Sequence, residues 1–363
     1  MRHKTTNNRP AHIVIDRAAL RHNLRRVREL VPDSQIMAVI KADAYGHGME
    51  VVASALYEAD EFAVNSLDDA RRLREHRVDK PVTLLSATLD RDELQSLGQM
   101  KVRPTIFDHS QLALYRQFNS ATALSVWLKV DTGMGRLGFR PAELGGVLEQ
   151  ISQMSCVGDI SLMTHLANAD QPGNSLNLTQ LDLFADLAQQ YSFRQVSVLN
   201  SAGSIALADS AYDMVRPGLM LYGASPLIGV SAEQLNLKPV MTFKSQLISV
   251  KMLPRDNAVG YGSTYTLSDD TRVGIVACGY GDGYPRHAPS GTPVLVNGLP
   301  ARLIGRVSMD MLALDLGDVE SQVGDEVVLW GEGNPIENIA GAAETIAYEL
   351  TCGITARVER III

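Results

Sequence analysis

The stretch Ile36-Met-Ala-Val-Ile-Lys41-Ala-Asp-Ala-Tyr45-Gly-His-Gly48 runs five apolar residues directly into a lysine and a glycine-bounded turn. The apolar run reads as a strand, and the segment after it reads as a loop. The same arrangement recurs outward along the chain, at Phe62–Asn65, Val82–Leu85, Thr105–Phe107, Val126–Val130, Ile160–Met163, Val196–Leu199 and Leu219–Tyr222. Amphipathic stretches of helical length lie between these runs, at Leu67–Glu75, Arg91–Leu97, Gln111–Phe118, Pro141–Met154 and Thr179–Tyr191. Asp68 and Asp69 open the first of them and arginines close it, which suits the helix dipole. Pro141 suits a first helical turn. Alternation of this kind means parallel strands joined by crossover helices, and eight units predict an α/β fold with an N-terminal (β/α)₈ TIM-type barrel rather than a doubly wound sheet.

The pattern changes near Pro239. Met241–Leu253, Arg272–Ala277, Pro293–Val296, Arg302–Val307 and Glu326–Trp330 are strand-like pieces between Gly, Pro, Asn and Asp turns, with one helical stretch around Ile339–Leu350. A mostly β C-terminal domain is therefore expected over residues 236–363, after a barrel over 12–235, with residues 1–11 packing against the second unit.

A chain of 363 residues has room for both units and for a core that needs no disulfide or metal staple. Its net charge of −8 argues against a nucleic-acid partner. No apolar run approaches the roughly 18 residues of a membrane helix, and the charged, then polar start Met1-Arg-His-Lys-Thr-Thr-Asn-Asn8 is unlike a secretion signal. Cys156, Cys278 and Cys352 are too few and too scattered for a disulfide framework. A cytoplasmic protein with no membrane contact is expected.

Reactive residues fall where the strands end. Lys41 closes the first run, Arg136 follows the fifth, His165 closes the sixth, Asn200 and Ser201 close the seventh, and Arg216 precedes the eighth. In a barrel these ends meet at one mouth, where active sites are built. Singly, each has an ordinary explanation. Lys41 could be a solvated cation, His165 a satisfied loop histidine, and Asn200-Ser201 a helix cap. Lys41, however, follows Val-Ile and precedes a turn, a placement that permits a desolvated amine suited to a Schiff base.

Gly133-Met-Gly135-Arg-Leu-Gly138 has the spacing of a dinucleotide fingerprint, but the next helix starts after the third glycine and the strand is the fifth. Gly279-Tyr-Gly-Asp-Gly-Tyr-Pro285 lacks a Walker lysine and reads as a loop. With no HExxH and no paired CxxC, no metal is expected.

At Lys41-Ala-Asp-Ala-Tyr-Gly-His-Gly48 the chain resembles the alanine racemases, pyridoxal-phosphate enzymes of fold type III. The resemblance continues in order through the opening Ile15-Asp16, Lys129-Val-Asp-Thr-Gly-Met-Gly-Arg136, Leu199-Asn-Ser-Ala and Arg216-Pro-Gly-Leu-Met-Leu-Tyr-Gly223. It extends through Val259-Gly-Tyr261-Gly, Gly279-Tyr-Gly-Asp-Gly and Gly305-Arg-Val-Ser-Met309-Asp310, so it spans nearly the whole chain. It implies racemisation of alanine, with D-alanine supplied to peptidoglycan. Lys41 would hold pyridoxal 5'-phosphate and act as one base. Tyr261 would reach across from the partner subunit of a homodimer as the other, made basic by His165 and Arg216. Arg216 would also meet the pyridine nitrogen. Tyr45, Ser201 and the amides of Gly218 and Leu219, supported by Asn200, would hold the phosphate. Arg136 would face the substrate carboxylate, and Met309 and Asp310 would approach from the partner.

Lys129, near Arg136, would be carbamylated, although pairing with Asp131 is the ordinary alternative. The family's C-terminal gate tyrosine is expected at Ala356 and so missing, with Tyr348 packed in a helix. Competing readings are a broader racemase acting on serine or lysine, a fold-type III decarboxylase, a non-catalytic cofactor-binding barrel and, on the glycine motif alone, a nicotinamide oxidoreductase.

Overall fold

In the computed structural model, which describes residues 9–118 and 123–363, two sheets of eight strands each organise the chain. The segment Met1–Asn8 lies outside the described residues.

Strand β1 (His12–Ile15) is followed by the helix Arg17–Leu30, capped by Asp16, whose carboxylate accepts from the amides of Ala18 and Ala19 at 2.7 and 3.0 Å. Then come β2 (Gln35–Val39), β3 (Glu61–Val64), β4 (Val82–Leu84), β5 (Val102–Ile106), β6 (Leu124–Lys129), β7 (Val157–Met163), β8 (Val196–Ser197) and β9 (Met214–Val215). These eight, β2 to β9, form one parallel sheet in the order β8-β7-β6-β5-β4-β3-β2-β9. A parallel bridge between Asn200 and Arg216 joins the two end strands, giving a TIM-like barrel. Crossover helices cover its outside, which is why all four residues of β3 are buried.

The lower end of the barrel is plugged by polar groups. Arg103 pairs with the buried Glu61 at 2.9 Å, donates to Ser161 at 2.8 Å and lies 4.7 Å over the Trp127 ring. At the opposite end β2 runs into Lys41.

The second sheet is built on β10 (Met241–Leu253), which pairs with Glu326–Trp330 and, through its far half, with Thr271–Val276. With Leu312–Asp315, Leu299–Ile304 and Pro293–Val296 between those two partners, six strands close into a ring. Phe243, Trp330 and Tyr284 fill it, with ring centroids 4.8 and 5.9 Å apart.

Two expectations need correction. Residues 12–15 belong with the second sheet: β1 pairs antiparallel with β10 and parallel with Glu359–Ile362. The run Leu219–Tyr222 is a buried 3₁₀ turn, and the eighth barrel strand is the two-residue β9 just before Arg216. Four consecutive buried apolar residues suit either conformation, so their pattern could not separate them.

Candidate active site

After β2, Ala42, Asp43, Ala44 and Tyr45 all adopt left-handed backbone angles, with φ between 53 and 54°. Each costs about 1–2 kcal/mol in an L-residue, so neighbours must hold the turn. His47 does so from within. Its Nδ1 lies 3.0 and 2.9 Å from the carbonyl oxygens of Ala44 and Tyr45, which places the proton there, and its ring packs on Tyr222 at 4.5 Å. Burial lowers the imidazole pKa to about 4, so it stays neutral. From outside, Arg72 bridges Asp43 and Glu50 at 3.0 and 2.7 Å. Gly46 fits so closely against the helix Ala347–Cys352 that a Cβ there would lie 2.1 Å from the Thr351 carbonyl oxygen. The turn presents Lys41 and Tyr45 to one cavity.

That cavity, of about 550 Å³, lies at the C-terminal ends of the barrel strands. Lys41, Tyr45, Lys129, Arg136, His165, Asn200, Ser201, Arg216, Gly218 and Tyr348 line it, and no carboxylate among the described residues does. The lining cations depress one another. Burial and then Arg136 lower the Lys41 pKa. Burial, Arg216, Arg136 and Lys41 bring Lys129 down to about 8. Burial first, then Arg216, pushes His165 well below the ordinary histidine value, so it is a neutral imidazole. Arg216 is buried and lowered to about 10 by burial, yet remains protonated at neutral pH. Its guanidinium donates to Ser197 Oγ and to the Thr164 and Val198 carbonyls, and it forms no ion pair among the described residues.

The loop after β6 explains the glycine motif. Asp131 accepts from the amides of Gly133, Met134 and Arg136 at 2.9, 2.8 and 3.0 Å, folding the loop back so that Arg136 stands at the cavity mouth. A Cβ at Gly138 would lie 2.5 Å from the Asp131 amide. Those amides are occupied and the helix begins only at Leu144, so the motif is not a dinucleotide site. Asp131 makes no ion pair with Lys129 among the described residues and acts on it only as a more distant counter-charge.

Opposite, Ser201 Oγ accepts from the amides of Gly218 and Met220 at 2.8 and 3.3 Å. A Cβ at Gly218 would lie 2.6 Å from the Tyr45 hydroxyl, so only glycine lets that ring lie alongside. Asn200 caps the helix Ser201–Ala206 through the Gly203 amide at 2.9 Å while also facing the cavity. Leu219 is buried one residue beyond Gly218 and lines an adjoining chamber.

Sequence reasoning misplaced one contributor. Tyr348 lines the cavity 5.6 Å from the Tyr45 ring, with its hydroxyl pushed up to about 12 by burial, whereas Ala356 sits in an exposed turn outside the lining. The signal was there, since Tyr348 and Thr351 share a helix face, but it needed the contact of Thr351 with Gly46. Tyr261, Met309 and Asp310 are not in this cavity. Tyr261 and Met309 are 69% and 53% exposed on the second unit.

Crowded cations with no ion-paired carboxylate among the described residues make a test of their own. Protonation of Lys129 is disfavoured in the fold, so its penalty on stability is full below about pH 8 and lifts as pH rises toward the ordinary lysine value near 10.4. Inorganic phosphate should therefore raise the melting temperature of cofactor-free protein more at pH 7 than at pH 9.5. An equal shift, or none, would contradict the anion site.

Fold and site together define a barrel protein built to hold an anionic small molecule against a reactive lysine. Two family models match the chain, the alanine racemase N-terminal domain over residues 15–226 and the C-terminal domain over 240–362. It is 46% identical over 356 residues to the alanine racemase of Nitrosospira multiformis, covering 98% of this chain and 99% of that protein. It is similar to the biosynthetic alanine racemase of Pseudomonas aeruginosa, with a TM-score of 0.95, 41% identity and coverage of 98% and 99% of the two chains. It is also similar to the alanine racemase of Bartonella henselae solved with covalently bound pyridoxal phosphate, with a TM-score of 0.88, 28% identity and coverage of 98% and 99%. The chain belongs to the alanine racemase family.

Proposed function

We propose that this chain interconverts L- and D-alanine with pyridoxal 5'-phosphate held in the Lys41 cavity, as a homodimer whose two sites are each completed by the neighbour. The observation that carries this is the carboxylate-free cavity lined by Lys41, Lys129, Arg136 and Arg216. Its donor set suits the cofactor: cations for phosphate and substrate carboxylate, a partly desolvated amine for the aldehyde, and two tyrosines, Tyr45 and Tyr348, kept protonated by burial as hydroxyl donors.

When bound, pyridoxal phosphate supplies the electron sink that stabilises negative charge at the substrate Cα. Lys41 holds the aldehyde and moves a proton at one face of Cα. Tyr45, Ser201, Gly218 and Leu219 hold the phosphate, with Asn200 beside them, and Tyr348 adds the hydroxyl that Ala356 lacks. Arg136 orients the substrate carboxylate. Arg216 stays a cation at neutral pH, so toward a ring nitrogen it can only donate. That keeps the nitrogen unprotonated and restrains the chemistry to return of the proton.

Racemisation also needs a base on the opposite face, and Tyr261 of the partner subunit is assigned to it, with Met309 and Asp310 beside it. A phenol is a weak base at neutral pH, so the role requires help from nearby cations. Arg216 supplies charge, and the neutral His165 relays it by hydrogen bonding. Residues 16–235 would hold the cofactor, and 236–363, with β1 in their sheet, would carry Tyr261 outward. Lys129, with a pKa of about 8 and no ion-paired carboxylate among the described residues, has the free amine that carbamylation requires, and as a carbamate it would anchor Arg136. Three unpaired cysteines suit the cytoplasm, and no described helix is long and apolar enough to cross a membrane. D-alanine made there would feed peptidoglycan synthesis.

Purified protein given the cofactor and L-alanine should release D-alanine, with serine and lysine turned over far more slowly. Comparable rates on lysine or serine would mark a broader racemase, and carbon dioxide release without D-alanine would mark a decarboxylase.

A further inference from the structure

The motif Gly279-Tyr-Gly-Asp-Gly283 has no part in its own chain's cavity, yet its glycines pack very closely. A Cβ at Gly279 would lie 2.2 Å from the Ser308 carbonyl oxygen, one at Gly281 2.6 Å from the Arg357 guanidinium, and one at Gly283 2.4 Å from the Gly353 carbonyl oxygen. Three segments thus cross at backbone distance. Asp282 sits at the crossing with its side chain 0% exposed, 2.9 Å from Arg9 and 2.7 Å from Arg357 Nε. Arg357 reaches on to Asp310 at 2.8 Å, and the amides of Tyr280 and Gly281 donate to the Ser308 and Met309 carbonyls at 3.1 and 2.9 Å.

From Met309 the same segment runs back to Gly305 and Arg306, and the Tyr261 turn is built against these two residues. A Cβ at Gly305 would lie 2.7 Å from the Val259 carbonyl oxygen, and one at Gly262 2.9 Å from the Arg306 guanidinium. A short, tightly packed run therefore links the Arg357 crossing to the turn that presents Tyr261. The Arg357 fork serves two carboxylates on two loops at 2.7 and 2.8 Å, with Arg9 reaching the same pair at 2.9 and 3.6 Å, a task for which the point charge of lysine is poorly shaped.

We propose that Arg357 is a positioning residue for Tyr261, acting through segment 305–310 and touching neither substrate nor cofactor. The inference rests on the two-base, two-chain reading above. A purely structural role would lower the amount of active dimer and slow both faces of Cα alike. A positioning role slows only the face that Tyr261 serves.

The test measures solvent deuterium incorporation at Cα of each enantiomer, at matched folded-dimer content, for Arg357→Met, Arg357→Lys and Tyr261→Phe. Arg357→Met should slow exchange on the Tyr261 face by about 10- to 100-fold, with exchange on the Lys41 face nearly unchanged. Arg357→Lys should fall between Arg357→Met and the parent, and it carries the test if the methionine variant does not fold. Equal slowing on both faces, or none, in the Arg357 variants beside an asymmetric Tyr261→Phe overturns the inference alone. A symmetric loss in Tyr261→Phe overturns the two-base reading, and the inference with it.

Discussion

Lys41→Ala is expected to lower alanine racemisation by at least about 10⁴-fold, because one substitution removes both the covalent anchor and a proton-transferring base. The protein should still fold, since the turn that carries Lys41 is held by His47, Arg72 and the Gly46 packing and not by the lysine amine. It should not retain pyridoxal phosphate through gel filtration. Electrostatics alone would not choose this lysine. Lys129 lines the same cavity, and burial together with three neighbouring cations brings its pKa down to about 8. What singles out Lys41 is its place at the end of β2, on the same left-handed turn as Tyr45. Borohydride fixation followed by peptide mapping decides between them. Cofactor mass on the Lys41 peptide is expected, and cofactor fixed at Lys129, with activity surviving in Lys41→Ala, would reverse the assignment.

The second large effect belongs to Tyr261→Phe. This side chain is 69% exposed and outside its own chain's cavity, so removing the hydroxyl should leave folding and cofactor retention as they were. Racemisation should fall by roughly 10²- to 10⁴-fold, the usual worth of a positioned acid–base group. Exchange of the Cα proton with solvent should fail for one enantiomer and persist for the other, because Lys41 is untouched. Equal residual exchange of both enantiomers would mean that a single group serves both faces.

Much of this was legible in the sequence because local signals agreed with the final packing. The helix Leu67–Glu75 and the strands Met241–Leu253, Pro293–Val296 and Glu326–Trp330 lie where periodicity and turn residues put them. Lys41, Arg136, His165 and Asn200 were found by their position after strands, which a parallel barrel turns into proximity; Arg216, expected ahead of its strand, follows β9 instead. What sequence could not supply depended on long-range choices. The alternating β1 pairs with β10 across more than 200 residues and leaves the barrel to begin at β2. Tyr348 faces the cavity only because Gly46 admits the Thr351 backbone, a contact between opposite ends of the chain. The state of His165 followed from its burial and the cations gathered around it, which no single motif reveals.

The central claim is that each site takes Lys41 from one chain and Tyr261 from its neighbour. Mixed dimers of Lys41→Ala and Tyr261→Phe chains, isolated with two different affinity tags, test it directly. Shared sites predict one intact site in every mixed dimer, and so about half the activity of the parent dimer. Activity no higher than that of either variant alone would contradict the account and return both bases to a single chain.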